Sequence, residues 1–441
     1  MAADSTPLTY DFAPLPRADW EKRLLRELPA GRGPEALTWR PVGEPAPLGP
    51  YYTAADIATL PYLHTQPDTY PYVRGHKGAS NRWLTLEPLV AEGDGRYAVE
   101  EGCAALAAGA DGLALTLPDP AAFDFRALAG ACDLTKTYVG FHLPATADVS
   151  KFGQQLTAAL TAQSRPSFGR RGHVVLAGPD ALTLPTAGSL DVLVDLGRPA
   201  PDFYTLTIDG AALADAGAGP TLALALTLSQ LVEIVSEQSE RGFAPETVVG
   251  ELRCTLGLGT SYFHAIAQQR ALRLLWANAL PAFEIAPHHA ALLKLHCRPS
   301  RRILFAADPD TNLPRLTTTA MAAVIGGCDT LEITAFDAAT DTGATAFGRR
   351  QARNIALLLR EEARLAQAVD PAAGSYYLET LTDQLARDAW AIFLRLEAEG
   401  GYRKAYATVA RLVAEQRAAQ DAAEAPGGQQ VRIGVNKYTL S

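Results

Sequence analysis

The chain has 441 residues, 48% of them hydrophobic and 20% charged, enough to bury a large core without disulfides or a structural metal. Its 39 Lys and Arg against 48 Asp and Glu give a formal charge of -9 with no long basic block, which argues against a nucleic-acid partner. No uncharged apolar run reaches the roughly 20 residues that span a bilayer, and Met1 to Thr9 lacks a basic-then-apolar leader pattern, so a soluble cytoplasmic protein without membrane contact is expected.

Residues 1–90 read as an extended arm, because prolines recur at Pro7, Pro14, Pro16, Pro29, Pro34, Pro41, Pro45, Pro47 and Pro50. Within it only 18–28 has helical spacing, with Asp19 near the start, an apolar face of Trp20, Leu24, Leu25 and Leu28, and Pro29 as a stop. That face needs a surface to lie on, either the chain's own barrel or a partner subunit.

Residues 91–345 alternate short apolar strands with amphipathic helices. Expected strands are 111–117, 137–143, 173–177, 190–194, 204–208, 249–256, 292–297 and 330–335; their continuous apolar character favours a parallel sheet covered by helices. Expected helices are 149–163, 221–241, 261–280 and 314–326, while 166–205 shows little helical periodicity. The pattern suits an α/β fold, a (β/α)8 TIM barrel ahead of an open doubly wound sheet. Residues 346–441 then read as C-terminal helices, about 349–368, 375–398 and 402–423, a natural subunit interface if they are not packed on their own barrel. The stretch 431–437 is expected to add a short strand.

Chemical motifs are sparse. The five cysteines, Cys103, Cys132, Cys254, Cys297 and Cys328, have no C-x-x-C spacing and suit reduced core thiols. His288, His289 and His296 lack the spacing of metal ligands, and His296 and Cys297, adjacent on a strand, face opposite ways. Gly257 and Gly259 lack the third glycine and the acidic partner of a dinucleotide site, and are expected to allow a tight turn. Barrel chemistry gathers at strand ends, which here carry His142, Asp195, Asp209, Gly257, Arg298 and Asp337; no pair among them identifies itself as acid and base. His142 is a pocket candidate unless it makes a core hydrogen bond, and Arg298, Arg301 and Arg302 are near enough in sequence to hold phosphates, unless they form a charged loop facing water or a partner. His264 is expected at the surface or an interface.

Several segments resemble the methylmalonyl-CoA mutase family. They are Pro50-Tyr51-Tyr52-Thr53, Tyr70-Pro71-Tyr72-Val73-Arg74-Gly75 and Trp83, then Tyr262-Phe263, Ile266-Ala267, Arg270-Ala271, Arg273 and Leu275-Trp276-Ala277. Further on are Asp308-Pro309 to Asn312, Arg315 to Thr318, Ala322 to Gly327, Ala335-Phe336-Asp337, Arg353-Asn354, Glu361-Glu362, Val369-Asp370-Pro371, and Gly374-Ser375-Tyr376-Tyr377 with Glu379, Leu381 and Thr382. The resemblance implies an acyl-CoA threaded through a (β/α)8 barrel, adenosylcobalamin held against it by a separate C-terminal domain, and radical isomerisation of methylmalonyl-CoA and succinyl-CoA.

The chain departs from that family in four places. The family's cobalamin motif D-x-H-x-x-G is missing, and Gly434 to Tyr438 resembles the segment that precedes that domain. The tyrosine and arginine expected before Trp83 are replaced by a shorter stretch from His76 to Arg82, in which Arg82 alone could imitate the charge. Ala211 and Ala212 stand where the family has a tyrosine and the histidine that hydrogen-bonds the thioester carbonyl, and a methyl donates no hydrogen bond. The family's Q-T-S-G-W segment becomes Arg298-Pro299-Ser300-Arg301-Arg302, which keeps only Ser300.

The resemblance with these departures implies the small, non-catalytic subunit of a heterodimeric mutase. Such a chain has no catalytic, cofactor or metal residues of its own and weak, vestigial substrate candidates at Arg82, His142, Arg298, Ser300, Arg301 and Arg302. Adenosylcobalamin would sit on the large catalytic subunit, its partner; the isolated chain as a homodimer stays open. Two other readings remain: an acyl-CoA mutase barrel working with a separately encoded cobalamin domain, and a self-associating scaffold with a vestigial acyl-CoA cleft.

Overall fold

The computed structural model describes residues 16–162, 171–198 and 202–439. The leader reading at Met1 to Thr9, the prolines Pro7 and Pro14, and parts of the 166–205 stretch lie outside the described residues. Nine parallel strands, β1 (Leu84–Val90), β2 (Gly112–Thr116), β3 (Tyr138–Leu143), β4 (Gly172–Leu176), β5 (Phe203–Tyr204), β6 (Leu206–Asp209), β7 (Leu252–Leu258), β8 (Lys294–Pro299) and β9 (Thr330–Glu332), form one sheet. Its order is β5-β4-β3-β2-β1-β9-β8-β7-β6.

Thr205 alone separates β5 from β6, and this stretch pairs with β4 at its start (Gly172 with Phe203) and with β7 further on (Leu206 with Leu252). The two edges are therefore one interrupted strand, and the ring closes on eight strand positions as the expected (β/α)8 barrel. Runs such as GLALT and GHVVL form its staves because both faces are covered: Leu113, Leu115, Val174 and Leu176 meet the helices, while the alternate residues Ala114, Thr116 and His173 face the lumen.

Three expectations change. The first strand, β1, lies inside the segment read as arm. Glu87 and Pro88 interrupt its apolar pattern, but Glu87 points outward to Arg353, which donates from Nη1 at 2.8 Å, so a buried ion pair replaces an apolar contact. The run 190–194, read as a strand, belongs to the helix Ala187–Gly197. Its buried Leu190, Leu193, Val194 and Gly197 repeat at helical spacing, and the Thr186 side chain caps it by accepting from Ser189 N. The helix Ala346–Glu361, assigned above to the C-terminal segment, completes the eighth strand-helix unit; Ala352, Ala356 and Leu359 are buried, and Arg360 donates to Asp111 beside β2 at 2.6 Å.

Beyond the barrel, the helix Tyr376–Ala398 spends its apolar face on its own chain, burying Leu378, Leu381, Leu385, Ala389, Phe393 and Leu396. The helix Tyr406–Glu424 buries only Val409 and Val413. The expected strand at 431–437 is reduced to one bridge between Ile433 and Lys437. The arm divides. Leu48, Ile57, Leu60, Tyr62, Val73 and Trp83 enter the chain's own core, whereas the helix Arg17–Glu27 buries no residue and leaves Leu25 48% exposed.

A buried ion cluster pins arm, barrel and C-terminal helix together. Arg270, on the helix Tyr262–Ala279, donates to Asp370 and, from Nη2 at 2.7 Å, to Glu379. Arg74 of the arm reaches the same carboxylates at 3.2 and 3.4 Å. Two guanidinium groups face two carboxylates in a dry setting, so truncating one strands the others. Arg270→Ala is expected to cost about 3–5 kcal/mol in urea unfolding. Arg23→Ala, which breaks the exposed 3.0 Å pair with Glu27, should change it by less than about 0.5 kcal/mol. Equal effects would refute this account.

Candidate functional site

The barrel axis holds two cavities and not one channel. At the C-terminal mouth a cavity of about 240 Å³ is lined by Thr116, His142, Asp209, Thr255, His296, Arg298 and Glu332, among others. At the N-terminal mouth lies another of about 170 Å³, and the two share no lining residue. Between them stand His173, Arg253 and His296, each at most 1% exposed, with Tyr138 beside them. Ring centroids are 5.6 Å apart for Tyr138 and His173, 5.5 Å for His142 and His173, and 6.2 Å for His173 and His296.

Local sequence explains the plug. Tyr138, Gly140 and His142 alternate into the lumen from β3, paired with Gly112, Ala114 and Thr116 of β2. Gly140 makes room for the next strand: a Cβ there would lie 1.9 Å from the His173 ring. On β8 the alternation sends His296 and Arg298 inward and Cys297 into the outer core, as their adjacency required.

The C-terminal cavity is electrostatically settled. Burial holds His142 below the ordinary imidazole range, takes His173 further down and brings His296 to about 4. Burial works against ionisation of Asp209, but the nearby Arg298 charge and a 2.5 Å hydrogen bond from Thr255 outweigh it and lower its pKa. Glu332 is likewise lowered against the cost of burial, with His296 and Arg298 beside it. Around pH 7 the histidines are therefore neutral and the acids ionised, which leaves no pair poised to exchange a proton there.

The sequence-selected residues are only partly brought together. His142, Asp209 and Arg298 meet at this cavity. Arg298 donates from Nη2 to Asp215 at 2.7 Å, and Asp215 also accepts from Ser300 Oγ at 2.8 Å and Arg301 N at 2.7 Å. The Arg301 side chain is 81% exposed, and Arg302 turns away to Asp421. Arg298 and Arg301 thus share Asp215, at 2.7 and 4.0 Å, while Arg302 lies beside Asp421, so each cation already stands next to an acid of this chain. Arg82 lies at the opposite mouth, its side chain 68% exposed, so it cannot act with His142.

Other candidates take structural places. Asp195 is on a helix, 3.6 Å from Arg198, and Asp337 accepts from Thr345 at the start of the helix Ala346–Glu361. Gly257 serves close approach and not a tight turn, since a Cβ would stand 3.1 Å from the Ala211 backbone. His264, expected at the surface or an interface, is 2% exposed within the chain itself: it bonds Ser261 at 2.9 Å and lies edge-on to Trp39, and burial lowers it to about 4. Sequence reasoning missed Glu332, Thr255 and His173 at the site; the period-2 alternation of their strands was the available signal.

Comparison with known proteins decides the family. The methylmalonyl-CoA mutase family model matches residues 181–441. The methylmalonyl-CoA mutase small subunit of Porphyromonas gingivalis is 30% identical over 92% of this chain and 67% of its own length. The chain belongs to the methylmalonyl-CoA mutase family. A probable small subunit from Mycobacterium bovis is also 30% identical over 92% of this chain, covering 67% of that protein. The methylmalonyl-CoA mutase of Cereibacter sphaeroides is 30% identical over 96% of the chain but only 64% of its own length. The chain thus spans about two thirds of the length of these relatives.

The histidines of the C-terminal mouth are engaged within the chain. His142 faces His173 at 3.4 Å inside the lumen, and His296 Nδ1 lies 2.8 Å from Thr330 Oγ1. No helix among the described residues is long and apolar enough to cross a membrane.

The neutral buried histidines make stability fall in acid. His264 and His296 have folded values near 4, below the unfolded value of about 6.5, so their contribution is complete above about pH 6.5 and is lost as pH falls towards 4. A shift of that size corresponds to the order of 3 kcal/mol per group. Urea midpoints should drop steadily from pH 7 to 5, and His296→Gln should flatten the slope. An unchanged slope in that variant would mean His296 is not held neutral.

Proposed function

We propose that this chain is the non-catalytic small subunit of a heterodimeric methylmalonyl-CoA mutase in the cytoplasm, whose large subunit carries the acyl-CoA and adenosylcobalamin. The observation that carries this reading is the plugged axis. An acyl-CoA threaded through the barrel needs a continuous path, and Tyr138, His173, Arg253 and His296 occupy it. At the end of β6, Ala212 stands in the position of the family's thioester-bonding histidine, its N–H bound to Asp209 Oδ1 at 3.1 Å and its side chain a methyl, so the position presents no donor to a thioester.

The surface supports a partner. Among the described residues the helix Arg17–Glu27 has no buried residue, Trp20, Leu24 and Leu28 being half-buried and Leu25 exposed, and Trp20 lies 5.3 Å from the exposed Tyr51. A cavity of about 510 Å³, larger than either axial one, lies between the arm and two helices and is lined by Tyr62, Tyr70, Leu274, Leu275 and Trp390. Apolar surface of this kind suits a stable subunit contact.

Co-expression with a cobalamin-bearing large subunit should give a one-to-one complex, and removal of residues 1–28 should weaken it. The chain alone, or with a separate cobalamin domain, should not isomerise methylmalonyl-CoA, and calorimetry with CoA esters should show no heat of binding. Turnover without a large subunit would establish the split-enzyme reading instead. Self-association with CoA-ester affinity and no large-subunit complex would establish the scaffold.

A further inference from the structure

Among the described residues, the lining of the cavity at the N-terminal mouth of the barrel carries more cations than acids, Arg82 alone reaching an acid outside it, Asp111 at 3.9 Å. Arg253 and Lys294 enter it from β7 and β8, Lys77 from the arm, and Arg82 and Arg171 stand around its opening. Only two acids, Asp202 and Asp329, share the lining. Asp329 is already engaged: it accepts from Leu295 N at 2.8 Å and lies 3.1 Å from His76, 3.8 Å from Lys77 and 3.9 Å from Arg273.

Arg253 is the decisive group. It is fully buried, and among the described residues it forms no ion pair. Its Nη2 donates to Thr330 Oγ1 at 3.1 Å, while Nε and Nη1 have no acceptor among the described residues. A buried guanidinium without a counter-charge is costly, and the usual remedy is an anion that takes up the free N–H groups. Lys294, whose Nζ lies 3.1 Å from His76 Nε2, adds a second cation, and the Tyr138 and Tyr204 rings line the same space.

We propose that this mouth binds a single small oxyanion, inorganic phosphate, between Arg253 and Lys294. About 170 Å³ holds one tetrahedral anion but not a nucleotide, and the ring plug above closes the way further in. A dianion matches the local charge better than chloride does, and it accepts from several donors at once. The site is independent of the subunit assignment, since it uses no residue of the proposed partner surface except through the fold.

Isothermal calorimetry of the full chain with sodium phosphate, against sodium chloride at equal ionic strength, tests it directly. Phosphate should give saturable heat and a rising melting temperature, and chloride neither. Arg253→Met should weaken phosphate binding roughly tenfold or more. Lys294→Met, nearer the opening, should weaken it by a smaller factor and carries the test if the Arg253 variant does not fold. No saturable phosphate heat, an equal response to chloride, or variants that bind like the parent chain would overturn the assignment and leave water as the partner of Arg253.

Discussion

A closed ring of parallel strands has to fill its own axis, and what fills it decides what the barrel can do. Here the filling is polar and bulky: Tyr138, His173 and His296 pack their rings around Arg253, with small residues such as Gly140 conceding the space. The axis is split into two small cavities of opposite character, one balanced by Asp209, Asp215 and Glu332, the other cationic. A barrel without an open axis keeps its outer surfaces available for assembly while giving a threaded substrate no route.

The residues that carry the family resemblance mostly do not line the axis. Arg74, Arg270, Asp370, Glu379 and Thr382 converge on one buried ion and hydrogen-bond cluster joining the arm to two helices. Arg273 holds the Gly327 carbonyl at 2.7 Å, and Asn312 donates to Phe305 O and Phe336 O. Such groups need their partners in place, since each one left alone in the interior is far more expensive than an apolar substitute. A chain can therefore keep a family's scaffold signature while its lumen changes, and the signature reports the scaffold.

Much of the barrel was legible because strands buried on both faces and helices buried on one have different periods. Seven of the eight strand readings fall on observed strands, at least in part, and the exception, 190–194, shows the limit of the method. A short apolar run of that length fits either period, and the Thr186 cap was the feature that separated them. The first strand escaped notice for the opposite reason: Glu87 and Pro88 look foreign to a buried strand until Arg353, far along the chain, arrives to pair with the carboxylate. The candidate site was less legible. His142 and Arg298 were found because they end strands, but their neighbours Glu332 and His173 become neighbours only around the ring.

By itself, the amino-acid order determined the alternation of strands and helices, the family, and the loss of hydrogen-bonding side chains at Ala211 and Ala212, since each of these is a local property of residue type and spacing. Tertiary structure alone decided that Arg82 and His142 occupy opposite mouths, that Arg298 and Arg301 share Asp215 while Arg302 pairs with Asp421, that His264 is enclosed, and that Arg253 lacks a counter-charge among the described residues. Those facts concern distance and solvent access between segments remote in sequence. Such distances exist only once the ring has closed.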